Sequence, residues 1–354
     1  MGRIRSLQAF RAIAFLFVFL SHTELIATGG IGVSMFLVLS GFLTAFSAAK
    51  KQNSHPVTLR SSIAYAAGKT KKLYPLHIVT LALMTAYTAL LLWKNGFPAT
   101  DTRDALIALP LNALLLQAWV PNEAFYFTFN KVSWYLSVCL FIYLVFPYIF
   151  SKLQKRSPRR LIYVGLGIVT VQTVIAALAN TFLPAESRAA LVKWIVYICP
   201  LFRSGDFFLG VILGLICLHG KVINAANSPL TLKNSLIEVA YVIAAVLFCT
   251  LRNRNQLPMW IGYGIIWLPF SLFGVYLFYT QKGIVTRLLS NKPLIAIGNL
   301  SAQAFLIHQM TIHLVKFLIS DVYLLSAVSL ILTLILSYCY EKIESRIFQQ
   351  LKSR

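Results

Sequence analysis

The chain reads as an all-α, polytopic transmembrane helical bundle of about ten spans, and three observations predict it. Of its 354 residues, 58% are hydrophobic and only 12% charged, where a soluble domain carries about 25% charged residues. The apolar residues gather in stretches that match a bilayer, because about 20 residues rising ~1.5 Å each span the hydrocarbon core. The basic residues lie in short segments between those stretches, the placement that sets membrane topology. The formal charge of +22 is therefore topological, and nucleic acid is set aside as a partner.

The first span, about 6–26, follows the basic start MGRIRS. Arg11 interrupts its apolar run and many spans follow, so it is an uncleaved first helix rather than a signal peptide. The second, about 31–48, follows Gly29-Gly30. The others are about 73–93, 133–150, 161–182, 201–218, 235–250, 259–280, 295–316 and 322–340. The apolar stretch 105–119 is short and contains Pro110. It is read as re-entrant or interfacial, since counting it as a span breaks the charge pattern. With the N-terminus inside, 22 of the 32 Lys and Arg fall in inside segments and 8 in outside ones, with Arg11 and Arg203 inside spans. That asymmetry puts both termini in the cytoplasm of a multi-pass protein of the inner or plasma membrane. Trp93, Trp134 and Trp260 near span ends suit interfacial anchoring. Cys139, Cys199, Cys217, Cys249 and Cys339 are scattered, with neither disulfide nor metal-ligand spacing, so no metal is expected. No repeat or low-complexity tract divides the chain, which is expected to be one membrane domain over 1–354 with no appended soluble domain.

The first span carries the most informative pair. Arg11 and His22 are eleven residues apart, a turn of about 1,100°, roughly 20° past three full turns. They share one helix face and stand about 16 Å apart along the axis. Two costly ionisable groups on one face suggest a polar path through the bilayer. A neutral imidazole at His22 can act as a general base, or be a histidine satisfied by a neighbouring helix. Arg11 offers a planar fork of donors for phosphate or carboxylate, or snorkels to the interface.

Further polar positions are candidates, Lys69 and Lys72 for cofactor binding and Ser40, Trp134, Arg203, Asp206 and His308 at second rank. Ser40 precedes Gly41 deep in the second span, where small residues also serve close helix packing. Lys69 and Lys72 stand before Leu73-Tyr74-Pro75. Ammonium groups there suit a polyanionic substrate such as a nucleotide-containing cofactor, or set topology. Trp134 lies in SWYLS. Arg203 and Asp206, three apart, can pair on one helix face. His308 lies deep in its span, where an imidazole must find a partner.

The order of FRAIAFLFVFLSH, GVSMFLVLSGFL, KxxKLYPL, SWYLSVCLFIYLVFP, FRSGDFFLG and FLIHQ resembles the acyltransferase-3 family of integral membrane O-acyltransferases. The resemblance runs from about residue 6 to 316. It implies transfer of an acyl group, usually acetyl from cytoplasmic acetyl-CoA, to a hydroxyl of an extracytoplasmic glycan or glycolipid, with Arg11 and His22 essential. Lys69 and Lys72 match by position a basic R-x-x-R pair of the family, here as point charges rather than planar forks. Cys139 stands where many members have Glu.

Two other classes of function fit a polar path through ten spans. One is a transporter or flippase for a glycan precursor, although no inverted repeat is visible. The other is a non-catalytic partner of glycan-assembly proteins.

Overall fold

The computed structural model describes residues 4–50, 56–222, 229–253, 260–261 and 267–352. Among them the chain forms helices and no strand. In chain order these are α1 (Arg5–His22), α2 (Gly29–Lys50), α3 (Leu59–Thr70), α4 (Tyr74–Lys94), α5 (Ala99–Ala113), α6 (Glu123–Tyr126), α7 (Trp134–Leu153), α8 (Pro158–Phe182), α9 (Ala185–Lys193), α10 (Pro200–His219), α11 (Leu232–Asn253), α12 (Trp267–Thr280), α13 (Ile284–Leu289), α14 (Lys292–Lys316) and α15 (Val322–Lys352).

Local chemistry sets several boundaries. Thr58 and Ser61 exchange side chain-to-backbone hydrogen bonds at the start of α3, a capping box. Asn291 accepts from the Leu294 N–H at 3.0 Å to open α14. Pro158 and Pro200 occupy first turns, where a missing N–H costs nothing. At the end of α1 the Thr23 N–H reaches the Phe19 carbonyl and the Leu25 N–H that of Leu20. Glu24 then turns the chain through the left-handed region at φ 66°, the reversal that commonly ends a helix.

Seven described helices or helical runs are long and apolar enough, by length and composition, to cross a bilayer: α2, α4, α7, α8, the α9–α10 run, α11 and α15. The other three expected spans correspond to α1, α14 and α12. Helices α1 and α14 are less apolar because they turn polar side chains inward: Gln8, Ser301, His308 and Gln309 are all buried. The eighth expected span, 259–280, is described at residues 260–261 and from Trp267 onward; its other residues lie outside the described ones. Helix α15 runs on past the expected end at 340, since its tail of Glu, Lys, Arg and Gln favours helix while being too polar for lipid. Segment 183–200, expected as a loop, holds α9 and a wide turn at Trp194–Ile198. The 105–119 stretch becomes the end of α5, too short to span, followed by a tight turn at Gln117–Trp119. A buried polar network pins it: Gln117 Nε2 donates to Ser133 Oγ at 3.2 Å, and that hydroxyl donates to Asn112 Oδ1 at 3.1 Å.

Helices α1, α2, α10 and α14 form the centre, with α1 packed on α2, α12 and α14, and α2 on α10. Close approach needs missing side chains. A methyl group at Gly210 would overlap the Val38 carbonyl, and one at Gly298 the Gln8 carbonyl. Small residues let backbones meet this way in membranes, where packing rather than water drives association. The rim helices expose large apolar side chains, for instance Leu83 on α4, Leu166 on α8, Ile243 on α11 and Ile331 on α15. Such surface is stable facing lipid and a liability facing water.

A histidine pair and a basic cavity on the central helices

Arg11 and His22 project from one face of α1, as their spacing predicts, and that face meets α14. His22 closes α1 and is half-buried. Its Nδ1 stands 2.9 Å from Nε2 of the fully buried His308. The other nitrogen of His308, Nδ1, stands 3.2 Å from the Ala304 carbonyl oxygen. A carbonyl accepts only, so the neutral His308 carries its proton on Nδ1. Its Nε2 is then the acceptor, and Nδ1 of His22 donates to it. For a neutral His22 this leaves Nε2 with a bare lone pair, the form a general base requires. Phe15 and Phe19 pack their rings 5.9 and 6.2 Å from His308, which holds its ring in place.

Arg11 lines a cavity of about 150 Å³, together with Ser40 of α2, Lys69 and Thr70 at the end of α3, Tyr135, Cys139 and Tyr143 of α7, and Ser301 and Phe305 of α14. Three sequence candidates from separate elements, Arg11, Ser40 and Lys69, therefore meet in one space. Lys69 is exposed, with its ammonium 5.4 Å from the centre of the Tyr65 ring. That ring stacks on Phe146 at 5.4 Å, and burial pushes the Tyr65 hydroxyl above its usual range. Lys72 is exposed on the turn joining α3 to α4.

The continuous polar path expected between Arg11 and His22 is corrected. Phe36, Phe305, Leu306 and Tyr135 line the cavity while His22 and His308 do not, and the Phe305 ring stands 5.9 Å from His308. The physical reason lies on α1 itself. Phe15 and Val18 occupy the same face between the two polar residues, and both are buried.

Arg203, Asp206 and Trp134 sit elsewhere. Arg203 and Asp206 are fully buried and paired at 2.9 Å, as their spacing predicts. Arg203 also donates to Ser34 Oγ at 3.1 Å, and Asp206 accepts from Gln172 Nε2 at 3.2 Å. The pair thus ties α10 to α2 and α8. Trp134 is buried against Tyr197, ring centres 5.0 Å apart, rather than placed at an interface. Trp93, near the end of α4, is 64% exposed.

Sequence reasoning missed Tyr135, Cys139 and Tyr143 as a lining stripe and Phe305 as a wall. The signal was spacing: 135, 139 and 143 recur every four residues on one helix face, as do 301 and 305. Among the described residues no three His, Cys, Asp or Glu side chains gather as a metal-binding group.

A family model described as an acyltransferase domain matches residues 4–342. The chain is 30% identical over 197 residues to "Acyltransferase MdmB" of Streptomyces mycarofaciens, a match covering 54% of this chain and 48% of that protein. It is 23% identical over 316 residues to "O-acetyltransferase OatA" of Staphylococcus aureus, covering 85% of this chain and 49% of that protein. It is 27% identical over 186 residues to "Protein 2 in picA locus" of Rhizobium radiobacter, covering 48% of this chain and 93% of that protein. The matches thus span about half the length of the first two relatives. No solved structure matches the chain. By a family match across nearly its whole length, the chain belongs to the acyltransferase-3 family.

Proposed function

We propose that the protein is a membrane O-acyltransferase that moves an acyl group, acetyl in the first instance, from cytoplasmic acyl-CoA to a hydroxyl of an extracytoplasmic glycan or glycolipid. The observation that carries this reading is the hydrogen-bonded His22–His308 pair, whose tautomers leave Nε2 of His22 free to take a proton. The charge asymmetry of the loops supports an orientation with the Arg11 end toward the cytoplasm and His22 toward the outside. The polyanionic donor then approaches from the side where Lys69 and Lys72 lie, and their ammonium groups attract its phosphates. Arg11 holds a polar part of the pantetheine arm inside the cavity.

In the reaction, Nε2 of His22 accepts the proton of the acceptor hydroxyl as its oxygen attacks the thioester carbonyl carbon. The carbon–sulfur bond breaks, and the leaving thiolate takes the proton back from the imidazolium. His308 acts through His22 and is a positioning residue. A variant of this chemistry places the acyl group transiently on His22.

The test compares wild type with His22→Ala in cells, by mass spectrometry of envelope glycans and by the amount of protein in the membrane. Loss of the acyl group at unchanged protein level supports the enzyme. Continued acylation overturns it. Radiolabelled acetyl-CoA in a single turnover without acceptor separates the two chemistries: label on the protein selects the acyl-imidazole, and unlabelled protein selects direct transfer.

A further inference from the structure

The geometry points to Phe305 as the residue that restricts the acyl group to a short chain. This rests on the acyl-donor reading of the cavity and goes beyond it by naming the residue that selects acyl chain length.

Phe305 is a shared wall. One side of its ring faces the cavity that holds Arg11 and Ser40. The ring also stands 5.9 Å from His308, whose partner is His22. Its neighbours are aromatic: Tyr135 at 5.1 Å and Phe36 at 5.8 Å between ring centres, the latter edge to face. Phe305 is 5% exposed, so this is a packed partition.

The cavity is also chemically divided. Tyr135, Cys139 and Tyr143 of α7 line one wall together with Ser40 of α2, and their hydroxyl and thiol groups give it a polar character suited to the amides of a pantetheine arm. The lining also includes Phe36, Phe305 and Leu306, an apolar surface suited to an acyl group, and of these Phe305 stands against His308. At about 150 Å³ the space is well below the ~300–1,000 Å³ of pockets that enclose a drug-sized ligand. It accommodates the end of the arm with a small acyl group and leaves no room for a long chain. When Phe305 moves to another staggered rotamer, the partition between the cavity and His308, the partner of His22, opens. The space vacated is that of one side chain, because the surrounding rings are close-packed. Each further methylene on the acyl chain must displace more of that packing, and pockets of this kind discriminate by ~10–200-fold per methylene.

The experiment uses membranes containing the full chain, supplied with acetyl-, butyryl- or hexanoyl-CoA and an envelope glycan fraction. It reads released thiol and the mass of the added acyl group. Wild type is expected to use acetyl-CoA far more readily than hexanoyl-CoA. Phe305→Ala is expected to raise the hexanoyl-to-acetyl ratio at least ten-fold, and Phe305→Leu by less. Phe36→Ala, which widens the same partition from α2, is expected to shift the ratio the same way and replaces Phe305→Ala should that variant fail to accumulate. An unchanged ratio in the folded variants overturns the proposal, as does a wild type that uses hexanoyl-CoA as well as acetyl-CoA. A wild type inert to every acyl-CoA overturns the donor reading itself and this inference with it.

Discussion

Nε2 of His308 stands 2.9 Å from Nδ1 of His22, while the other nitrogen of His308 faces a backbone carbonyl. The two contacts together decide where both protons sit, which neither histidine decides alone. A substitution at His308 therefore acts through the tautomer of His22. His308→Ala is expected to lower kcat about 10²-fold or more, the range over which a positioned general base contributes. His308→Gln presents an amide oxygen that also accepts from Nδ1 of His22, and is expected to recover a substantial part of the loss. Both are measured as acyl transfer at saturating donor, with protein level as control. Equal losses in the two variants would show that His308 only fills space.

Much of this arrangement was legible in the sequence, and the unread part has a definite cause. The eleven-residue offset between Arg11 and His22 gave their common face because helical phase is a local property. The three-residue offset gave the Arg203–Asp206 pair for the same reason. Which helix would meet that face was not legible, since it depends on contacts such as Gly298 against Gln8, nearly 300 residues apart in the chain. His308 thus stood as an isolated candidate and not as the partner of His22. The aromatic partition was half legible: Phe15 and Val18 lie in phase with Arg11 and His22, but Phe305, Phe36 and Tyr135 come from three other helices. Lys72 and Lys69 read alike in sequence. The end of α3 puts Lys69 on the cavity and leaves Lys72 on the turn.

Arg203 and Asp206 make a different prediction, because their pair holds helices and lies away from the cavity. Removing one partner leaves an uncompensated charge in a fully buried position, which costs about 3–5 kcal/mol. Arg203→Ala is expected to lower the thermal denaturation midpoint in detergent sharply. The double variant Arg203→Met with Asp206→Leu removes both charges while keeping volume, and is expected to recover most of that loss. Donor affinity of the folded double variant should match wild type, measured by acyl-CoA binding.

The contact between α2 and α10 depends on the absence of a side chain at Gly210. A Cβ there would overlap the Val38 carbonyl, and backbone cannot rotate aside as a side chain can. Gly210→Val is expected to cost more than the ~1–3 kcal/mol typical of an overpacked core, and to reduce the amount of folded protein in the membrane. Gly167→Ala is the control, because open space surrounds that position. Its accumulation should equal that of wild type in the same expression assay.

Lys69 tests whether the cavity mouth recruits its ligand by charge. Its ammonium is exposed and sits 5.4 Å from the centre of the Tyr65 ring, so its attraction for phosphate acts through water and is screened by salt. Lys69→Ala is expected to raise KM for acyl-CoA about five-fold at low ionic strength, the equivalent of ~1 kcal/mol, with kcat unchanged. The difference from wild type should shrink as salt is added, because the Debye length falls to about 10 Å at 0.1 M. Lys69→Arg keeps the charge and is expected to keep the KM. An increase in KM that persists at high salt would mean that Lys69 contributes by packing against Tyr65, and a fall in kcat would place it nearer the reacting atoms than the mouth of the cavity.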